Sequence, residues 1–204
     1  MCIRDRIDRD KKVNKYDVKI DKICQKIFAL AQPVAMDLRY IMSSLTINSN
    51  LERIGDIAVN IAENILIIGK KPDFFLNTKL EAMFNLTQKM LKNAIDAFIG
   101  GNPELAREVI LADDIIDKLN AENHQILKSI MKQSPENIEG AVALLVISRE
   151  LERLADHSTN IAEDVFFIVE SQMIKHKYEK FIFGDEETEN DEEKSDQNPN
   201  PIQE

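Results

Sequence analysis

Tryptophan is absent, and turn-forming residues are scarce: the 204 residues include six glycines and six prolines. An all-β fold needs tight turns at short intervals and is excluded; long helices are what such sparse punctuation allows. Only two cysteines occur, Cys2 and Cys24, and no Cys-x-x-Cys motif. They build no disulfide framework, so a reducing, cytoplasmic setting is expected. No apolar run approaches the roughly 18 residues of a membrane span. Met1–Asp10 is polar and charged, unlike a secretory signal. A Gly-rich phosphate loop and a nucleophile motif are both missing, which leaves hydrolase and kinase chemistry without a basis. What is present is 44% hydrophobic and 30% charged residues, the balance of a globular chain.

The net charge is −10, but it is unevenly placed. Asp185–Glu204 holds nine carboxylates and one lysine, a net of −8. The remaining 184 residues are therefore nearly neutral, at −2. Neither part has the basic balance of a nucleic-acid binder. The stretch 184–204 contains Asn-Pro-Asn-Pro, lacks apolar periodicity and is predicted to be disordered.

Apolar spacing of three and four predicts five helices. The first spans about Ile7–Leu30, with Val13, Tyr16, Ile20, Ile23 and Ile27 on one stripe. Pro33 opens a second over Val34–Ile68, with Gly69 where a C-cap belongs. The third spans Leu76–Ile99, with Leu80, Met83, Phe84, Leu91, Ala94 and Phe98 on its apolar face. Gly100-Gly101-Asn102-Pro103 is a stop followed by a cap and a start, and the fourth helix runs to about Lys132. Ser134-Pro135-Glu136 repeats the start signal, and the fifth runs to about His176.

The segment Asn50–Glu63 returns as Glu150–Glu163, at an offset of 100 and without a gap. Eight of the fourteen positions are identical: Leu, Glu, Arg, Asp, Asn, Ile, Ala and Glu. Upstream, Pro33 matches Pro135, and Asp10, Val13, Tyr16, Ile23 and Ile27 match Asp113, Ile116, Leu119, Ile126 and Ile130 at an offset of 103. The chain is thus two copies of one helical unit. The expected boundaries are 7–70 for the first copy and 74–180 for the second. The second copy has three predicted helices and the first only two, so the first unit is expected to lack its first helix. Met1–Arg6 matches nothing in the second copy and reads as a foreign start. A two-helix first unit is expected to leave an apolar groove open.

On a helical wheel with 100° per residue, Glu52, Asp56, Asn60 and Glu63 fall on one narrow stripe. Glu152, Asp156, Asn160 and Glu163 repeat it. Leu51, Ile54, Ile61 and Ile65 lie opposite, and Gly55, Ala58 and Ala62 adjoin that apolar side and permit close helix approach. The plain alternative is a solvated polar face. Exposed faces, however, commonly pair Glu with Lys one turn apart, whereas this stripe holds three carboxylates, an amide and no cation. Like charges at that spacing repel unless something positive sits among them. All donors are oxygens, which suits hard or borderline ions such as Mg, Mn or Fe. The preceding helix offers Asp113 and Asp117 in the second copy and Asp10 with Asn14 in the first. Together these make a carboxylate cluster large enough for more than one ion. Asp114, Asp17 and Asp21 read as surface groups, and His157 lies off the stripe. Asp37 and Arg39 have no counterpart in the second copy and read as a partner or anion contact, or as a simple intrahelical pair.

These residues resemble the PhoU family of phosphate-specific transport regulators. Gln32-Pro-Val-Ala-Met-Asp-Leu-Arg39 with Leu51-Glu-Arg-Ile-Gly-Asp56 is similar to that family's first repeat. Glu150-Leu-Glu-Arg-Leu-Ala-Asp-His157 with Asn160-Ile-Ala-Glu163 is similar to its second, and the likeness covers about residues 8–180. The resemblance implies an all-α pair of three-helix bundles. It implies multinuclear metal clusters, of iron or zinc, on Glu52 and Asp56 and on Glu152 and Asp156. It also implies a non-catalytic cytoplasmic adaptor that acts on the phosphate ABC transporter and a sensor histidine kinase, reaches the membrane only through partners, and forms homo-oligomers. Two alternatives stand beside it. One is the cytosolic domain of a sodium–phosphate cotransporter. The other is a carboxylate-bridged di-iron enzyme, which uses Glu-x-x-His; His124, His157 and His176 are preceded at that spacing by Ala121, Leu154 and Met173.

Overall fold

The periodic apolar positions are realised as five α-helices: α1 (Ile3–Ala31), α2 (Ala35–Ile68), α3 (Leu80–Gly100), α4 (Pro103–Gln133) and α5 (Ile138–Glu170). The computed structural model describes residues 3–170, with side chains described from 10 to 169, and contains no strand among them. The acidic stretch 184–204 and the expected run of the fifth helix to His176 lie outside the described residues.

The α3–α4 junction follows its sequence signal. Gly101 takes φ +56 in the left-handed region, which glycine enters at least cost, and the Asn102 side chain accepts from the Leu105 N–H at 3.1 Å. Pro103 then fills the first helical position. Four other starts differ from expectation. The first helix begins at Ile3 rather than Ile7, so Ile3–Arg6, expected to belong to a foreign start, is part of α1. The third helix begins at Leu80 rather than Leu76, because Asp73–Asn77 winds as a 3-10 turn closed by Thr78, whose hydroxyl donates to the Phe75 carbonyl at 2.7 Å. Leu76 is left 75% exposed. The second begins at Ala35, two residues past Pro33. Reversing direction within Gln32–Val34 puts Gln32 at φ +45 and Ala35 at +48. The fifth is preceded by a 3-10 turn over Pro135–Asn137, with a short Ser134–Glu136 side-chain contact across it.

α3, α4 and α5 pack on one another as a three-helix bundle, α1 packs antiparallel on α2, and α2 packs on α5. The two repeats therefore pack on one another through α2 and α5. Met83, Val109, Ile116, Leu127, Ile161 and Phe166 of the second repeat and Ile57 of the first are almost wholly buried, each contributing about 1.5–3 kcal/mol. The first repeat supplies two helices among the described residues, as expected. With no described helix placed on α1 as α3 is on α4, the apolar stripe of α1 stays open: Tyr16 is 62% exposed and Ile23 48%, whereas their counterparts Leu119 and Ile126 are half-buried. No helix among the described residues is long and apolar enough to cross a membrane.

Candidate metal centre

The antiparallel pairing of α4 with α5 sets Asp113 and Asp117, one turn apart, against Glu152 and Asp156, also one turn apart. Their electrostatics show that they share one field. Burial, and then the charges of Asp156, Asp117 and Asp114, push the Asp113 carboxyl up to about 7. The Thr159 hydroxyl is the one group pulling it the other way, and no hydrogen bond of normal geometry joins the two. Glu152 is raised by burial, then by Asp156 and Asp117, with Arg149 and Arg153 opposing. Asp156 is raised by burial and by Asp117, against Arg153. The Arg153 guanidinium is itself held by Glu150, at 3.0 and 3.2 Å. Asp113 Oδ1 is buried and has no hydrogen-bond partner.

The first repeat builds the same arrangement from α1 and α2. Glu52 is raised by burial, then by Asp56 and Asp17, with Arg53 opposing and Asp10 adding to the effect. Asp10 Oδ1 is buried without a partner, as at the equivalent Asp113. Its other oxygen accepts from the Asn14 amide at 3.0 Å. Asn14 stands where α4 carries Asp117, so a donating amide replaces a repelling carboxylate. Asp10 also meets α2 at Gly55, where an added Cβ would lie 3.1 Å from its Oδ1 and 3.3 Å from Val13 Cγ1.

The remaining stripe residues lie further along. Asn60 and Asn160 are exposed. They are eight residues beyond Glu52 and Glu152, about 12 Å along the axis. Glu63 is exposed, whereas Glu163 is buried. The wheel aligns these side chains in projection, but axial rise keeps the two ends of each stripe about 16 Å apart. Ala58, expected to adjoin the apolar side, is exposed, while Ser158 in its place is buried. Asp114 is exposed, as expected. Asp17 and Asp21, expected at the surface, are half-buried at the α1–α2 contact, where the Asn48 amide donates to them at 2.7 and 3.2 Å. His157 lies off the stripe: its Nδ1 pairs with Asn50 Oδ1 at 2.9 Å, across the repeats. Asp37 is exposed, and Arg39 is half-buried with its Nε lacking a partner. Sequence reasoning missed Thr159, Asn48 and Asn50. Asn48 had a signal, since its counterpart Ser148 is also polar and both are buried.

Among the described residues, no group of three or more His, Cys, Asp or Glu is arranged to hold a metal ion. The carboxylates are gathered within electrostatic reach without closing on a common centre. Without a cation the neighbouring arginines offset their repulsion only in part, which should show in stability. Folding moves Asp113 from its ordinary 3.8 to about 7, so the folded state holds the extra proton between these values. Metal-free protein should lose stability as pH rises from about 4 to about 7. Asp113→Asn removes the ionising group. In chelator at pH 8 it should melt a few degrees higher than wild type, from a gain on the order of 1–2 kcal/mol once solvent screening is allowed for. At pH 4 the two should nearly coincide. A lower melting temperature for the variant at pH 8 would show that the carboxylate is not repelled.

The chain matches the family model described as the PhoU domain twice, over residues 2–65 and 80–165. It is 31% identical over 170 residues to "Phosphate-specific transport system accessory protein PhoU homolog 1" of Thermotoga maritima, covering 83% of this chain and 73% of that protein. To the PhoU homolog of Aquifex aeolicus, likewise described as a phosphate-specific transport system accessory protein, it is 34% identical, over 85% of this chain and 79% of that one. The crystal structure of PhoU from Pseudomonas aeruginosa superposes with a TM-score of 0.79 at 31% identity, covering 83% and 82% of the two chains. The phosphate transport system regulatory protein PhoU from Streptococcus pneumoniae gives 0.74 at 27% identity, covering 84% and 80%. With both repeats matched and the helices superposing over most of either chain, this protein belongs to the PhoU family.

Proposed function

We propose that the chain is a non-catalytic, metal-binding accessory protein of phosphate transport, working in the cytoplasm. In this reading it restrains the phosphate ABC transporter and phosphate-starvation signalling through a sensor histidine kinase. The transport role is supported by the names of its relatives, which are described as accessory proteins of the phosphate-specific transport system. The metal reading is carried by one observation: equivalent Asp10 and Asp113 each bury a carboxylate oxygen with no hydrogen-bond partner, beside further carboxylates of a facing helix. Such an oxygen costs free energy unless a cation meets it.

The all-oxygen donor set fits hard or borderline ions: Fe or Zn by family resemblance, with Mn or Mg also suited to it. Asp10, Glu52 and Asp56 would hold metal in the first repeat, and Asp113, Asp117, Glu152 and Asp156 in the second. A bound cation supplies the positive charge these groups lack, and small side-chain rotations would close the clusters. The protein's part is to bring α4 onto α5, and α1 onto α2, so that ligands of two helices converge. Metal loading would then fix the angle within each pair and so the outer surface offered to a partner. Homo-oligomerisation belongs to the same reading, with exposed Tyr16, Ile23 and Ile27 as apolar surface for a second copy to cover.

The transport reading is tested in cells. Deleting the gene should leave phosphate uptake unrestrained in phosphate-rich medium, measured with labelled phosphate, and supplying the wild-type chain should restore control. Uptake indifferent to the chain would overturn it.

A further inference from the structure

One face of α1 has no part in the carboxylate centre. Lys15, Lys19, Lys22 and Lys26 recur at spacings of four, three and four, which confines them to an arc of about 60° and a row about 16 Å long. All four are exposed, and no ion pair joins any of them to a described residue. Asp10, Asp17 and Asp21 lie on the opposite side of the helix, toward α2. Between the lysine stems Val18 is 50% exposed, and it lines a shallow depression with Ile23 and the four lysines.

The second repeat provides an internal control. At the offset of 103, the depression recurs on α4, lined by Ala121, Glu122, Gln125 and Ile126. The same face is thus outward in both copies. Yet Lys19, Lys22 and Lys26 of the first stand where the second has Glu122, Gln125 and Ser129. If solvation alone chose these residues, nothing would concentrate cations in one copy. The depression is shallow and bounded by a single helix, so it gives an acidic peptide no deep groove to lie in. A plane of phosphates, by contrast, meets all four ammonium groups at once and lets exposed Val18 settle among the headgroups.

We propose that this face of α1 docks directly on an anionic phospholipid surface. The chain as a whole is negative, so a local field must hold it. Screening over about 10 Å at moderate salt allows this, since distant carboxylates fade while the lysine row remains in contact. The inference rests on the charge pattern of α1. It needs neither metal nor transporter, so its failure and that of the proposed function are separable.

The full chain, treated with chelator, should sediment with vesicles of phosphatidylcholine containing about one-third phosphatidylglycerol at about 50 mM salt and be released at about 0.5 M. It should not sediment with pure phosphatidylcholine. Each lysine is worth about fivefold in partitioning. The double variant Lys19→Glu with Lys22→Gln writes the second repeat's residues onto α1, where α4 shows they are tolerated. Changing the local charge by three, it should bind about a hundredfold more weakly, with an unchanged circular dichroism melt as the folding check. Absence of wild-type binding to the anionic vesicles would overturn the proposal and leave an acidic protein as the partner of this face. Equal binding by the double variant would overturn it too, as would release by inorganic phosphate at constant ionic strength, which would point to a free-anion site.

Discussion

Replacing Glu152 with Gln and Asp156 with Asn should strip the second repeat of metal while leaving its helices intact. Both side chains project from the polar side of α5. The residues that hold α5 in the bundle, Leu151, Ala155, Ile161 and Val165, are buried on its other faces and untouched by the change. The substitutions nearly keep size but remove two of the four carboxylates of the cluster Asp113, Asp117, Glu152 and Asp156. A hard cation loses two anionic ligands, which should cost on the order of a hundredfold in affinity or more, since even outer partners of ligands are worth 10–100-fold. Repulsion also falls, so the variant should melt no lower than wild type in chelator, yet lose the second repeat's share of the rise in melting temperature that metal gives wild type. Elemental analysis of purified protein measures the first effect and melting with and without metal the second. Wild-type metal content in the variant would sink the assignment. Metal retained at half the wild-type amount is the expected result if the first repeat loads independently.

Asn123→Ala should be the most damaging change among the polar residues of the bundle interior. Asn123 has no exposed surface, and three helices meet at its side chain. Its Oδ1 accepts from the Lys79 N–H at 2.7 Å, capping α3. Its Nδ2 donates to Ser148 Oγ of α5 at 3.1 Å and lies 3.7 Å from Met83 Sδ. Ser148 in turn donates to Asn120 Oδ1 at 2.8 Å. Alanine leaves the Lys79 N–H without its acceptor and opens a small void, at a cost on the order of 2–4 kcal/mol. For a chain of this size the melting temperature should fall by roughly 5–15 °C, followed by circular dichroism. The neighbouring Asn120→Ala, which removes a single acceptor in a half-buried place, should cost about 1 kcal/mol. A loss for Asn123→Ala no larger than for Asn120→Ala would mean that the cap does not stabilise α3.

The same asparagine shows where the sequence stops being legible. The all-α repeat was readable because apolar spacing and a gapless duplication survive projection onto one dimension. The start of α3 was not, because it is set by a 3-10 turn closed by Thr78 together with an acceptor, Asn123, that comes from 44 residues away. The pairing of the carboxylate-bearing helices was readable from the match of Asp10 with Asp113, since antiparallel packing of consecutive helices brings those positions to Glu52 and Glu152. The depth of each carboxylate was not. A wheel gives angle without axial rise or neighbours, so it could not separate exposed Glu63 from buried Glu163, nor show Asp17 and Asp21 turned inward to Asn48.

Gly55 faces Val13, and the residues that correspond to this pair in the second repeat are Ala155 and Ile116. The first repeat is thus two carbons smaller at the point where its ligand helices touch, and α1 has room to settle nearer α2 than α4 can to α5. If both carboxylate groups hold metal as proposed, the two sites would differ in spacing and, through Asn14 and Asp117, in ligand charge. Ions of unequal radius or valence would then partition between the halves, and a titration would fill them at separate concentrations. A protein built this way would answer a rising metal supply in two steps, with the intermediate loaded on one side only.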